Sequence, residues 1–223
     1  MKSGQGFDAS LGLRCLSGHL GKVRGLRISH PLTAAAIIPS MCQALQFRLG
    51  KMSYHTVFEG ELVGMLLALH LLARQRGVHS VLITLDNQAA MTALQNNIPQ
   101  ASHYLLDHIH DMILCLKRKH CCLHIHLEWV PGHRGVGGNE PADCKAKAAV
   151  EGLSSMATEL PLLLHHHLPA SMAAFIAHRR TMLLQRWRDE WLSSPQYSKV
   201  AKVDSLLPSR KSSKPLVTSC IRP

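Results

Sequence analysis

Val81-Leu82-Ile83-Thr84-Leu85-Asp86 is a nearly continuous apolar run that closes on a carboxylate. A run of this length, β-branched at Val81, Ile83 and Thr84, predicts a strand covered on both faces. Its carboxyl end, where Asp86 stands, is where ligands gather in open α/β sheets. Upstream, Leu62, Met65, Leu66, Leu69 and Leu72 recur at three- and four-residue steps. That period predicts a helix from Thr56, ended by Gly77. Before it, Ala34 to Ile38 reads as a short buried strand stopped by Pro39, and Gln43 to Leu49 alternates weakly as a second strand. Residues 1–33 scatter Gly, Ser and Arg without a period and read as an irregular or degenerate segment.

Downstream of Asp86, Gln88 to Gln95 reads as a short helix and Pro99 marks a loop. Leu105, Leu106, Ile109, Met112, Ile113 and Leu116 line one face of a longer helix, closed by Lys117, Arg118 and Lys119, which suit the negative end of its dipole. Cys122 to Val130 alternates as a strand. The loop Pro131-Gly132-His133-Arg134-Gly135-Val136-Gly137-Gly138 follows, and Asn139 is a good N-cap for a helix to about Val150. Helices interleaved with strands predict an α/β fold, its sheet parallel in the middle. Residues 34–152 form this domain. Residues 153–223 read as a linker and a basic helical tail. Leu160-Pro161 and Leu168-Pro169 punctuate the linker, and Ser171 caps a helix with Met172, Ile176, Leu183, Trp187 and Trp191 on one stripe. Such a stripe is expected to be buried packing; Arg179, Arg180, Arg186 and Arg188 beside the tryptophans are the alternative, a nucleic-acid contact.

The chain has 223 residues, 46% hydrophobic and 17% charged, so it can bury a core and is not a disordered chain. Its net charge of +11 calls for a polyanion, most simply nucleic acid. Residues 153–223 hold 10 basic and 4 acidic side chains, a higher density than the rest. The longest apolar run, Leu62 to Ala73, is too short to span a bilayer, and no secretory signal precedes Asp8, which predicts an intracellular protein without a membrane partner. Seven cysteines with no C-x-x-C pair fit a reducing compartment. Cys115, Cys121, Cys122, His124 and His126 read as helix and strand positions rather than a zinc site. His165-His166-His167 points in different directions and carries no site. Oligomeric state is not legible.

Only seven Asp and seven Glu are present, so each can be placed. Glu61 opens the apolar helix, Asp86 ends the buried strand, and Asp143 lies in the first turn after the glycine loop. Singly, each has a structural role available: Asp86 can cap the next helix, and Asp143 can answer a helix N-terminus. Together, three carboxylates at element ends of an α/β sheet can converge, and such oxygens without thiolates suit Mg²⁺ or Mn²⁺. Two such ions about 3.5–4 Å apart activate water and stabilise the leaving oxygen of a phosphodiester.

Glu61-Leu62, the segment Leu82 to Ala90, Trp129-Val130-Pro131-Gly132-His133 and Gly138-Asn139-Glu140-Pro141-Ala142-Asp143 resemble type 1 ribonuclease H over roughly residues 34–152. Tyr54 to Leu62, together with Leu168-Pro169-Ala170-Ser171, Trp187, Trp191 and Ser193 to Tyr197, resembles most closely the ribonuclease H region of non-LTR (LINE-like) retrotransposon polyproteins. The resemblance implies a ribonuclease H-like mixed sheet flanked by helices, with a basic C-terminal helical tail. It also implies a metal-dependent endonuclease that hydrolyses the RNA strand of RNA–DNA hybrids. Glu61, Asp86 and Asp143 would be the Mg²⁺ (or Mn²⁺) ligands, and His133 would assist proton transfer and product release.

The family's first carboxylate, an Asp on the first strand in Asp-Gly-Ser, has no counterpart triplet here. Asp8 in Phe7-Asp8-Ala9-Ser10 is the only aspartate before Glu61 and is one candidate for the fourth ligand. The other alignment sets Ser17-Gly18-His19-Leu20 after the missing Asp and leaves Cys15, a poor Mg²⁺ ligand, in its place. Both need an insertion near residues 24–33. The alternative function is therefore a catalytically impaired, retroelement-derived nucleic-acid-binding domain.

Overall fold

The computed structural model describes residues 10–18, 31–41, 43–85, 87–96, 102–130 and 154–202. It falls into two compact units, residues 1–175 and 176–223. The first is built on a five-stranded mixed sheet. Its strands are β1 (Ser10–Gly18), β2 (Pro31–Ile38), β3 (Gln43–Lys51), β4 (Ser80–Leu85) and β5 (His124–Trp129), in spatial order β3-β2-β1-β4-β5. β2 lies antiparallel to β1 and to β3, while β4 lies parallel to β1 and to β5. Helices α1 (Val57–Ala73), α2 (Gln88–Gln95) and α3 (His103–Lys119) connect or flank the strands.

The largest departure from the sequence expectation is β1. The segment read as irregular supplies the central strand of the sheet, with Cys15 opposite Ala36 on one side and Arg14 opposite Thr84 on the other. Its residues carry no clean alternation because a strand with a neighbour on each side is specified by the ladders it completes rather than by its own period.

α1 is the hub of the core. Thr56 opens it with a capping box: the Thr56 hydroxyl accepts from the Glu59 N–H at 3.2 Å, and the Glu59 carboxylate accepts from the Thr56 N–H at 2.6 Å. Leu62, Met65, Leu66, Leu69 and Leu72, the five periodic positions, are all buried, and so is nearly every other residue between Glu59 and Leu72. The helix packs on β1, β2 and β3 below and on α3 beside it. It ends at Arg74, and Gly77, at φ +68, turns the chain towards β4. Lys119, at the end of α3, donates its ammonium to the Ala73 carbonyl, one of the acceptors left open in the last turn of α1.

The stretch from residue 154, expected to be linker, is partly core. Leu160, Leu164 and Leu168 are buried in the same cluster as the α1 leucines. Ser155 N–H donates to the Gln46 carbonyl at 2.9 Å, and the Ser155 and Ser154 hydroxyls accept from the Gln46 and Arg48 N–H groups at 3.1 Å each. Polar groups on the open edge of β3 are thereby satisfied by the chain itself.

The second unit holds most of α4 (Met172–Leu192) and the short α5 (Tyr197–Val200). The stripe expected to be buried is exposed instead: Ile176 is 58%, Leu183 66% and Trp187 45% exposed. Helical spacing shows that the residues share a face, but burial also needs an opposing surface, which spacing does not supply. Arg186 is paired with Glu190 at 2.8 Å, and Trp191 meets Tyr197 edge-on with ring centroids 6.4 Å apart. No helix among the described residues is long and apolar enough to cross a membrane.

Candidate active site

Strand directions locate the site. β1, β3, β4 and β5 all run the same way, because β2 alone is antiparallel to its neighbours. Their carboxyl ends, Gly18, Lys51, Leu85 and Trp129, therefore share one end of the sheet. α1 begins six residues after β3 stops, so its amino-terminal turns stand at that same end. Glu61 lies in those turns and is 2% exposed. Beside it in the chain, Glu59 is 1% exposed but has structural partners. Besides Thr56, it accepts a short hydrogen bond from the Ser102 hydroxyl, and the His55 ring nitrogen Nδ1 lies 3.8 Å away. Glu59 is thus a buried capping residue. His55 is itself buried, and burial holds its pKa below the ordinary 6.5, against the pull of Glu59.

β4 and β5 end side by side. Trp129 is in register with Leu85, and the Val130 N–H donates to the Leu85 carbonyl at 2.9 Å. The two segments that begin after Leu85 and after Val130, one opening on Asp86 and the other leading to His133 and Asp143, thus start from neighbouring points. Asp86, His133 and Asp143 themselves lie outside the described residues, as does Asp8. The capping role that the sequence allowed Asp86 belongs to Asn87, whose Oδ1 accepts from the Ala89 N–H at 2.9 Å and the Ala90 N–H at 3.3 Å.

As a hard oxygen donor, the Glu61 carboxylate is suited to a divalent cation of the Mg²⁺ class. β1 is not: Ser10-Leu11-Gly12-Leu13-Arg14-Cys15-Leu16-Ser17-Gly18 holds no carboxylate. Among the described residues no three His, Cys, Asp or Glu side chains lie together as a metal site. Cys115, Cys121 and Cys122 are free and exposed, the last two in the turn before β5, and His124 and His126 are exposed on β5. The cleft lined by Gln43, Leu45, Arg74, Gln75 and Glu159 joins the start of β3 to the end of α1, so it lies at the opposite end of the sheet from Glu61. Sequence reasoning missed the tie from Glu59 to Ser102, which lies 43 residues away and has no local signature.

A mixed sheet ordered β3-β2-β1-β4-β5, with α1 and α3 packed together and a buried acid at the start of α1, decides the fold class. The fold is ribonuclease H-like. No family model and no curated protein matches the chain. Among solved structures, the N-terminal RNase H domain of rv2228c from Mycobacterium tuberculosis is 15% identical, with 65% of this chain and 98% of that one covered at a TM-score of 0.45. RNase H1 from the halophilic archaeon Halobacterium salinarum NRC-1 is also 15% identical, covering 65% of this chain and 99% of that one at 0.44. The PFV RNase H domain is 13% identical, covering 64% and 94% at 0.46.

Proposed function

We propose that this chain is a ribonuclease H-type domain of retroelement origin that engages RNA–DNA hybrids. The chemistry for which its site is laid out is metal-dependent endonucleolytic hydrolysis of the RNA strand. The observation that carries this reading is Glu61, a carboxylate 2% exposed at the end of the sheet where β4 and β5 finish together. Its oxygens are hard donors of the kind that suit a divalent cation, and Asp86 and Asp143 are the further carboxylates that the family resemblance offers beside it. Mg²⁺, or Mn²⁺, would supply the charge that lowers the pKa of an attacking water and stabilises the leaving oxygen. The chain's own part would be to supply the carboxylate oxygens, with His133 as the residue proposed to carry a proton.

Phosphate contacts come from the basic surplus of +11. Binding of a labelled hybrid, measured by fluorescence anisotropy across a salt series, should weaken linearly in log–log form as counterions are released. A flat response, or equal affinity for a neutral polymer, would overturn nucleic acid as the ligand. A second reading, binding without cleavage, is favoured by the composition of β1.

A further inference from the structure

We propose that Cys121 and Cys122 form a two-sulfur chelate for a soft or borderline divalent cation of the Zn²⁺ and Cd²⁺ class, one ion per chain. The pair lies in the turn between α3 and β5, before the amino end of β5 and so away from the end of the sheet that carries Glu61. In an extended strand, adjacent side chains leave on opposite faces. Here a tight turn replaces the strand: the Leu123 N–H donates to the His120 carbonyl at 3.0 Å, with the two cysteines as the central residues. The turn is pinned on both sides. The His120 N–H donates to the Leu116 carbonyl at 2.9 Å, and the His124 N–H to the His79 carbonyl at 2.8 Å. Both thiols are exposed, and their sulfurs lie 3.7 Å apart.

That separation selects the ligand. An ion about 2.3 Å from each sulfur, the usual Zn–thiolate length, would see the two at about 107°, close to the tetrahedral angle. Thiolates favour soft and borderline ions over Mg²⁺, so the pair differs in chemistry as well as in place from Glu61. Among the described residues no third His, Cys, Asp or Glu side chain joins the two. Cys115, His124 and His126 therefore stay outside the chelate, and the remaining coordination positions of the ion face solvent. The pair does not readily close on itself: adjacent Cα atoms are about 3.8 Å apart, short of the roughly 4.4–6.8 Å that a relaxed disulfide spans. The hydrogen bond between the sulfurs, together with the charge of an ionised Cys121, holds the Cys122 thiol above its ordinary range. An ion takes the place of that shared proton. Two S–H bonds break, two metal–sulfur bonds form, and two protons leave to solvent with no change of oxidation state.

The test titrates the reduced full chain with Cd²⁺ alone and follows the ultraviolet thiolate-to-metal charge-transfer band. It compares wild type with Cys121→Ser, Cys122→Ser, the double variant and Cys115→Ser. Cys115 is an exposed thiol outside the pair and serves as the control. All the substituted side chains are exposed, so the fold should be kept in every variant. Wild type should take up one Cd²⁺ at its tightest site, unaffected by Cys115→Ser or by a large excess of Mg²⁺. Each single change within the pair should weaken that site on the order of 100-fold, because the second sulfur otherwise binds at a high effective concentration. The double variant should lose it. Below the thiol range, the logarithm of affinity should climb by about two per pH unit, as two protons are displaced. Tight uptake that survives in the double variant, a loss caused by one cysteine of the pair but not the other, or a pH slope of about one would each overturn the chelate.

Discussion

Glu59→Ala should be among the most destabilising single changes near the site, although the residue neither binds nor reacts. Its carboxylate is 1% exposed and accepts from the Thr56 N–H at 2.6 Å, the Thr56 hydroxyl at 3.2 Å and the Ser102 hydroxyl. These contacts start α1 and tie it to the residue that starts α3. Hydrogen bonds to a charged group contribute about 1.5–3 kcal/mol each. Releasing the buried carboxylate offsets part of that loss, so the net cost should be about 3 kcal/mol. Glu59→Gln keeps an oxygen for the Thr56 N–H and offers an amide donor to the Ser102 oxygen, so it should cost only about 1 kcal/mol. Thr56→Ala removes the reciprocal half of the box and should also cost about 1 kcal/mol. The double variant Thr56→Ala/Glu59→Ala should then be less destabilised than the sum of the two, because both remove the same bonds. Urea unfolding with unchanged m-values is the assay. Equal costs for Glu59→Gln and Glu59→Ala, or strict additivity with Thr56→Ala, would refute the network.

Ser102 has φ +66 and gives its hydroxyl to Glu59 rather than to its own helix, so Ser102→Ala loses the bond and keeps the strain. Ser102→Gly relieves the strain and should be more stable than Ser102→Ala by about 1 kcal/mol in the same unfolding assay. His55 and His70 are both held below the ordinary 6.5, chiefly by burial, with Arg74 also lowering His70. The unfolded chain therefore binds protons first, so their contribution is full above about pH 7 and is lost as pH falls through 6.5 towards their folded values. Urea midpoints should drop between about pH 7.5 and pH 5.5, with a shallower drop in His55→Gln. Leu164→Ala should cost about 2–4 kcal/mol despite lying past the expected domain end, since Leu164 is 3% exposed within the main core. A thermal melt unchanged by that substitution would return residues 160–168 to linker status.

The elements written in the sequence are those whose burial is one-sided or complete within a single segment. The α1 leucines repeat at helical steps because one helix must face a sheet; the apolar run Val81 to Leu85 marked β4, but the cover expected on both faces is not there, since Val81, Ile83 and Leu85 are buried while Leu82 and Thr84 are only half-buried. The weak alternation of Gln43 to Leu49 marked β3, and the motif around Glu61 marked the end of the sheet where chemistry would sit. β1 was illegible because its place between β2 and β4 is set by two long-range ladders, and such pairing leaves no period in a nine-residue segment. The α4 stripe was legible as a face but not as a buried one, since exposure depends on what lies opposite. Leu160, Leu164 and Leu168 looked like linker because isolated apolar residues between prolines acquire meaning only from the core they enter. The sequence by itself named the acids and supplied the helices and strands of an α/β sheet. Only the tertiary register set Ser10 level with Ser80 and Arg14 level with Thr84, because a strand's height against its neighbour is a property of the pair and not of either segment.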